Sequence, residues 1–111
     1  VSDEDKWIDV CSVNDLQPDS GICALVDNKQ VAIFYMPKEA AVYAINNHDP
    51  FGKANVLSRG LIGDINGIPM VASPLYKQHF NLLTGECLED SSVSVEAYAI
   101  RIENGRVEVS I

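Results

Sequence analysis

Two Asn-Gly pairs constrain this chain more than any other feature. Asn66-Gly67 lies between the apolar runs 61–65 and 68–73, and Asn104-Gly105 lies between 96–103 and 106–111. Both residues of such a pair accept positive φ, which a two-residue hairpin turn requires. Each pair therefore predicts two antiparallel strands. In the last segment Val107, Val109 and Ile111 alternate with Arg106, Glu108 and Ser110, a period of two with one face inward and one outward. The segment 96–103 alternates less cleanly and is expected to be buried in part on both faces.

Further strands are predicted over 7–11, 22–26, 31–36 and 41–45. Asp27-Asn28-Lys29 supplies a turn, because Asp and Asn tolerate left-handed backbone. Pro37 ends the third run, since it has no N–H for a ladder. Ser12 can cap a single helical turn over 12–16. The segments 46–59 and 74–78 fit no strand, and irregular connections of this kind often carry function. Short strands separated by turn chemistry predict an all-β sandwich or barrel.

A length of 111 residues predicts one domain over 1–111, with 1–6 expected to be a flexible N-terminus. The net charge of −8 argues against nucleic acid and anionic membrane surfaces as partners. No run approaches the ~18 apolar residues of a membrane span. The acidic start, Val1-Ser2-Asp3-Glu4-Asp5-Lys6, has neither signal nor transit character, so cytoplasmic residence is expected. Cys11, Cys23 and Cys87 are odd in number and lack C-x-x-C spacing. They read as core or near-core thiols, not as a disulfide framework or zinc site.

Independent catalysis finds little support. Only His48 and His79 could serve as imidazole bases, and no G-x-S-x-G turn is present. Gly60, Gly63 and Gly67 lack the spacing of a dinucleotide loop. The two histidines read as surface or turn residues, and Asp3-Glu4-Asp5 and Glu89-Asp90 as solvated surface. No catalytic residue and no metal site is expected.

The order of motifs from Ala41 to Gly85 resembles the Rieske ferredoxin family. Val42-Tyr43-Ala44-Ile45 matches the strand that leads into the first cluster loop, and Leu57-Ser58-Arg59-Gly60 matches the Leu…Gly after it. Ser73-Pro74-Leu75-Tyr76, Phe80 and Leu83-Thr84-Gly85 match the second loop and its exit. The resemblance implies a Rieske-like small antiparallel β-sandwich or barrel with two loop excursions at the cluster site. A Rieske 2Fe–2S centre takes two thiolates and two imidazoles, in C-x-H and C-x-x-H loops. Laid against them, this chain has Asp49 and Phe51 in the first loop and Ser73 and Tyr76 in the second. No cluster is expected.

Within that family the chain is similar to the small subunits of cytosolic NADH-dependent nitrite reductases, whose ligands are also replaced. The residues that carry this are Ala44-Ile45-Asn46-Asn47, Asp49-Pro50-Phe51, Val56 to Ile62, Val71 to Leu75 with Lys77-Gln78, and Gly85 through Cys87 to Glu89-Asp90. The resemblance implies a non-catalytic small subunit without a cofactor of its own. Its partner would be a large subunit that carries FAD, siroheme and a 4Fe–4S cluster and reduces nitrite to ammonium with NADH.

Two readings of the loops follow. Pro50, Phe51, Pro74, Leu75, Tyr76 and Lys77 could form a partner-docking surface, stiffened by the two prolines. Alternatively, Phe51 and Tyr76 could turn inward and fill the cluster space. Lys53, Arg59 and Lys77 are basic groups near these loops, either scattered surface charges or contacts for an acidic partner face. Two other functions compete with the subunit reading: an electron carrier with unusual ligands, and a stand-alone binding or regulatory module.

Overall fold

The computed structural model describes residues 7–37, 41–75 and 77–110. The expected flexibility of 1–6 lies outside them. Among the described residues there are eleven strands: β1 (Ile8–Ser12), β2 (Ser20–Val26), β3 (Lys29–Met36), β4 (Ala41–Asn46), β5 (His48–Asp49), β6 (Ala54–Asn55), β7 (Leu61–Ile65), β8 (Ile68–Ala72), β9 (His79–Asn81), β10 (Ala97–Glu103) and β11 (Arg106–Ser110). They form a six-stranded sheet ordered β1-β11-β10-β4-β3-β2, a two-stranded β5-β6 ribbon and a three-stranded sheet ordered β7-β8-β9. The large sheet curls until its edges, β1 and β2, border a groove of about 380 Å³.

Both Asn-Gly pairs form hairpin turns, with φ of 53° and 84° at Asn66-Gly67 and 52° and 78° at Asn104-Gly105. Asp27 and Asn28 also take positive φ, of 50° and 68°, between β2 and β3. Ser12 caps a turn as its side chain predicts, but the turn is a short 3-10 piece, Val13–Asp15. Its Oγ accepts from Asn14 N, and Asp15 Oδ2 accepts from Ser12 N.

The shared wall of the molecule is β3. Its apolar run Val31-Ala32-Ile33-Phe34 is buried at every position, which requires packing on both faces. Val31 and Ile33 join a core with Leu16, Val26, Ala44, Val107 and Val109, inside the curled sheet. Ala32 and Phe34 face the other way, into a core with Ile45, Leu57, Val71, Phe80, Leu82 and Cys87. That second core holds the three-stranded sheet and the first irregular segment, through Phe51 and Leu57, against the barrel. Burying each of Phe34 and Phe80 contributes roughly 1.5–3 kcal/mol.

Three expectations need correction. On β10, Tyr98 and Ile100 are half-buried while Ala97, Ala99 and Arg101 are exposed, so this strand is solvated on one face instead of buried on both. Cys23 is exposed, not a core thiol: Ile22 and Ala24 turn toward the core, and alternation along β2 sends Cys23 to the opposite face. His79 lies half-buried on a strand, β9, not in a surface turn. None of the described helical turns is long and apolar enough to cross a membrane.

Candidate functional site

The first irregular segment is built on Asn47, which the sequence did not single out as a site residue. Its side chain is buried and serves as a hub. Nδ2 lies 3.1 Å from Asn55 O, 3.2 Å from Gln30 Oε1 and 3.4 Å from Cys23 Sγ. Its Oδ1 accepts from Ser58 N at 2.7 Å. The backbone joins in, with Asn47 N donating to Gln30 O and Leu57 N donating to Asn47 O. The base of the loop is thereby fixed to the β2–β3 hairpin. The sequence could have signalled this only through an Asn run that follows an apolar strand and precedes no strand of its own.

Beyond Asn47 the chain makes the two-residue ribbon, with His48 opposite Asn55 and Asp49 opposite Ala54. Asp49 is 0% exposed and Ser73, at the start of the second loop, is 1% exposed. They meet: Ser73 Oγ donates to Asp49 Oδ2. Asp49 Oδ1 also accepts from Phe51 N at 2.8 Å and Gly52 N at 3.2 Å. Ser73 Oγ in turn accepts from Leu75 N at 3.3 Å. A carboxylate can be buried when its lone pairs are met in this way. One side-chain hydrogen bond thus ties the tips of the two loops together.

Phe51 turns toward the core. Its ring lies 6.2 Å from that of Phe80, tilted by 50°, and it packs on the same cluster as Leu57 and Val71. Leu75 crosses over Gly52, where a Cβ would stand 2.3 Å from Leu75 Cδ1. Only glycine allows that approach without displacing the leucine. Leu75 is 43% exposed. Pro74 and Lys77 line a groove of about 170 Å³ with Arg59, Gly60, Leu61, Ala72 and Ser73. Pro50 lies elsewhere, half-buried beside His48 and Glu96. The structure therefore gathers Pro74, Leu75 and Lys77 on one exposed rim, joins Asp49 to Ser73 beneath it and sets Phe51 under the tips. Tyr76 lies outside the described residues.

A further polar cluster closes the strand after the second loop. Glu89 accepts from His79 N at 2.8 Å, and its Oε2 lies 2.5 Å from His79 Nδ1. Burial pushes the Glu89 carboxyl up, but the hydrogen bonds from His79 outweigh it and hold the group below its ordinary value. The Cys87 thiol is buried in the core, and that burial raises its pKa.

The donors at the matched positions do not fit a 2Fe–2S centre. Asp49 and Ser73 offer hard oxygens already hydrogen-bonded to each other and to the loop backbone, and Phe51 has no donor atom. Among the described residues no group of three or more His, Cys, Asp and Glu could hold a metal ion.

Comparison with known proteins matches the fold and the order of these loops. Residues 6–110 match the family model of the Rieske-like [2Fe-2S] domain. The nitrite reductase (NADH) small subunit of Escherichia coli strain K12 is 46% identical over 94% of this chain and 96% of its own length. A solution structure of the nitrite reductase [NAD(P)H] small subunit from Erwinia carotovora is 48% identical, with a TM-score of 0.79 over 95% of this chain and 81% of that one. The nitrite reductase [NAD(P)H] large subunit of Klebsiella oxytoca is 40% identical over 93% of this chain, in a segment that makes up 11% of that protein. The chain belongs to the Rieske-like domain family, among the small subunits of NADH nitrite reductase.

Proposed function

We propose that this chain is the non-catalytic small subunit of an NADH-dependent nitrite reductase, acting in the cytoplasm as one Rieske-like domain over 1–111. It supports reduction of nitrite to ammonium by a large subunit that carries FAD, siroheme and a 4Fe–4S cluster, and it holds no redox group itself. The observation that carries this reading is the near end-to-end likeness to the E. coli small subunit. Two others support it. A segment related to this chain is part of the nitrite reductase [NAD(P)H] large subunit of K. oxytoca. Asp49, Phe51 and Ser73 at the cluster positions supply neither thiolate nor imidazole, which argues against electron transfer through a 2Fe–2S centre in this chain.

In this reading the rim of Pro74, Leu75 and Lys77 is the docking surface. The Asp49–Ser73 bond joins the two loops beneath it, Phe51 packs inward against Phe80, and Pro50 lies apart from it beside His48 and Glu96. The test is NADH-dependent nitrite reduction by purified large subunit with and without this chain, together with size exclusion of the mixture. Co-elution with a gain in activity is expected. No co-elution and no gain would refute the reading. Iron and labile sulfide in the purified chain would favour an electron carrier instead.

A further inference from the structure

The basic side chains divide sharply between the two ends of the molecule. Among the described residues, Lys29, Arg101 and Arg106 form ion pairs with Glu96, Glu108 and Asp9, all on the large sheet or its margin. Lys53, Arg59 and Lys77 are exposed and form no ion pair with a described residue. All three lie at the loop end. Arg59 and Lys77 both line the groove of about 170 Å³ that Leu61 and Pro74 also line. Lys53 follows Gly52, on which Leu75 rests. Leu61 is 79% exposed and Leu75 43%, so exposed apolar area lies at the same end as the cations. In a chain of net charge −8, unpaired cations around exposed leucines are the opposite of the average surface. The same arrangement, an apolar centre with an arginine at hand, suits a protein interface.

We propose that this loop end binds an acidic face of the large subunit, with a partner carboxylate seated between Arg59 and Lys77 and apolar partner groups against Leu61 and Leu75. This rests on the subunit reading and adds the chemistry of the contact. A carboxylate suits the groove because a guanidinium can bind it in bidentate fashion and the lysine adds a point charge. The groove floor is Gly60, where a Cβ would come within 2.3 Å of Ala72 O. A side chain at that position would clash with the adjoining strand and alter the floor on which the partner group rests.

The experiment compares binding of purified large subunit by the wild-type chain, by the double variant Arg59→Glu/Lys77→Glu, and by Lys29→Glu/Arg101→Glu, which makes the same charge change on the far sheet. Melting curves accompany each. The loop-end variant should melt like the wild type, since it breaks no ion pair among the described residues, yet bind at least ~10-fold more weakly. Wild-type affinity should fall as salt rises, and that dependence should flatten in the loop-end variant. The far-sheet variant should keep wild-type affinity. If wild type binds with a salt-independent affinity, or if the loop-end variant binds equally well, the inference falls while the subunit reading stands. If wild type does not bind at all, both fall. The isolated chain should sediment as a monomer; a dimer that dissolves on Arg59→Glu/Lys77→Glu would give the groove to a second copy and overturn the proposal.

Discussion

The curled sheet and the loop end are held together by different physics. In the sheet, β3 buries apolar side chains on both faces, and the charged groups are paired at the surface, as Arg101 with Glu108 and Arg106 with Asp9. At the loop end there is too little strand for ladders to satisfy the backbone. Buried Asn47, Asp49 and Ser73 do that work by hydrogen bonds, while Lys53, Arg59 and Lys77 form no ion pair with a described residue. The contrast teaches that where strand pairing runs out, buried polar side chains can hold irregular backbone in place. The Asp49–Ser73 bond joins the two loops, and Pro74, Leu75 and Lys77 stay exposed above it.

The contrast is tested first by the two largest expected effects. Phe34→Ala should cost about 3–5 kcal/mol, because a fully buried ring leaves a cavity between two packed layers. Asp49→Ala should cost about 3 kcal/mol, since it strips the acceptor from Ser73 Oγ, Phe51 N and Gly52 N at a buried site. Urea denaturation of both checks this. A loss under about 1 kcal/mol for Asp49→Ala would mean that the loop end is held by apolar packing alone. Asp49→Asn keeps an oxygen for the two amides and should fall between wild type and Asp49→Ala.

Phe51→Ala comes next, at about 2 kcal/mol, because the ring is half-buried against Phe80. Large-subunit binding measured well below the melting temperature should change little. Loss of binding without loss of melting temperature would instead place Phe51 in the contact. The smallest effect concerns pH. The folded Glu89 carboxyl sits below its ordinary value of 4.5. Its contribution is therefore complete above about that pH and is lost as pH falls through the lower folded value. Glu89→Gln should lose that contribution near neutral pH, flatten the fall of stability in acid, and converge with the wild type once the pH is below the folded value. An unchanged acid slope in a melting series would show that the His79 contact does not stabilise the fold.

What could be read from the residues alone follows the range of the interactions. The hairpin at Asn104-Gly105 and the inward Val107 and Val109 are set by neighbours in sequence, and they appear as expected. The Ser12 cap is equally local. The β5-β6 ribbon and β9 were missed because they are two and three residues long, too short to show a period. Asn47 was missed because Cys23 and Gln30, two of its partners, lie on another hairpin. The family likeness located Asp49 and Ser73 in two different loops. That their side chains join is a fact of the third dimension, as is the gathering at one end of cations with no ion pair among the described residues.

Ile8, at the start of β1, lies opposite Val109, near the end of β11, in an antiparallel pair. The outer ends of the first and last described strands are therefore neighbours, and they share one ladder. Tension applied between them opens that ladder from its end, one rung after another, instead of shearing all rungs at once. A tether pulling on this domain from a larger protein would peel away β1 first. The Asp49–Ser73 junction, far along the chain from either end, would carry none of the load until the barrel had already opened.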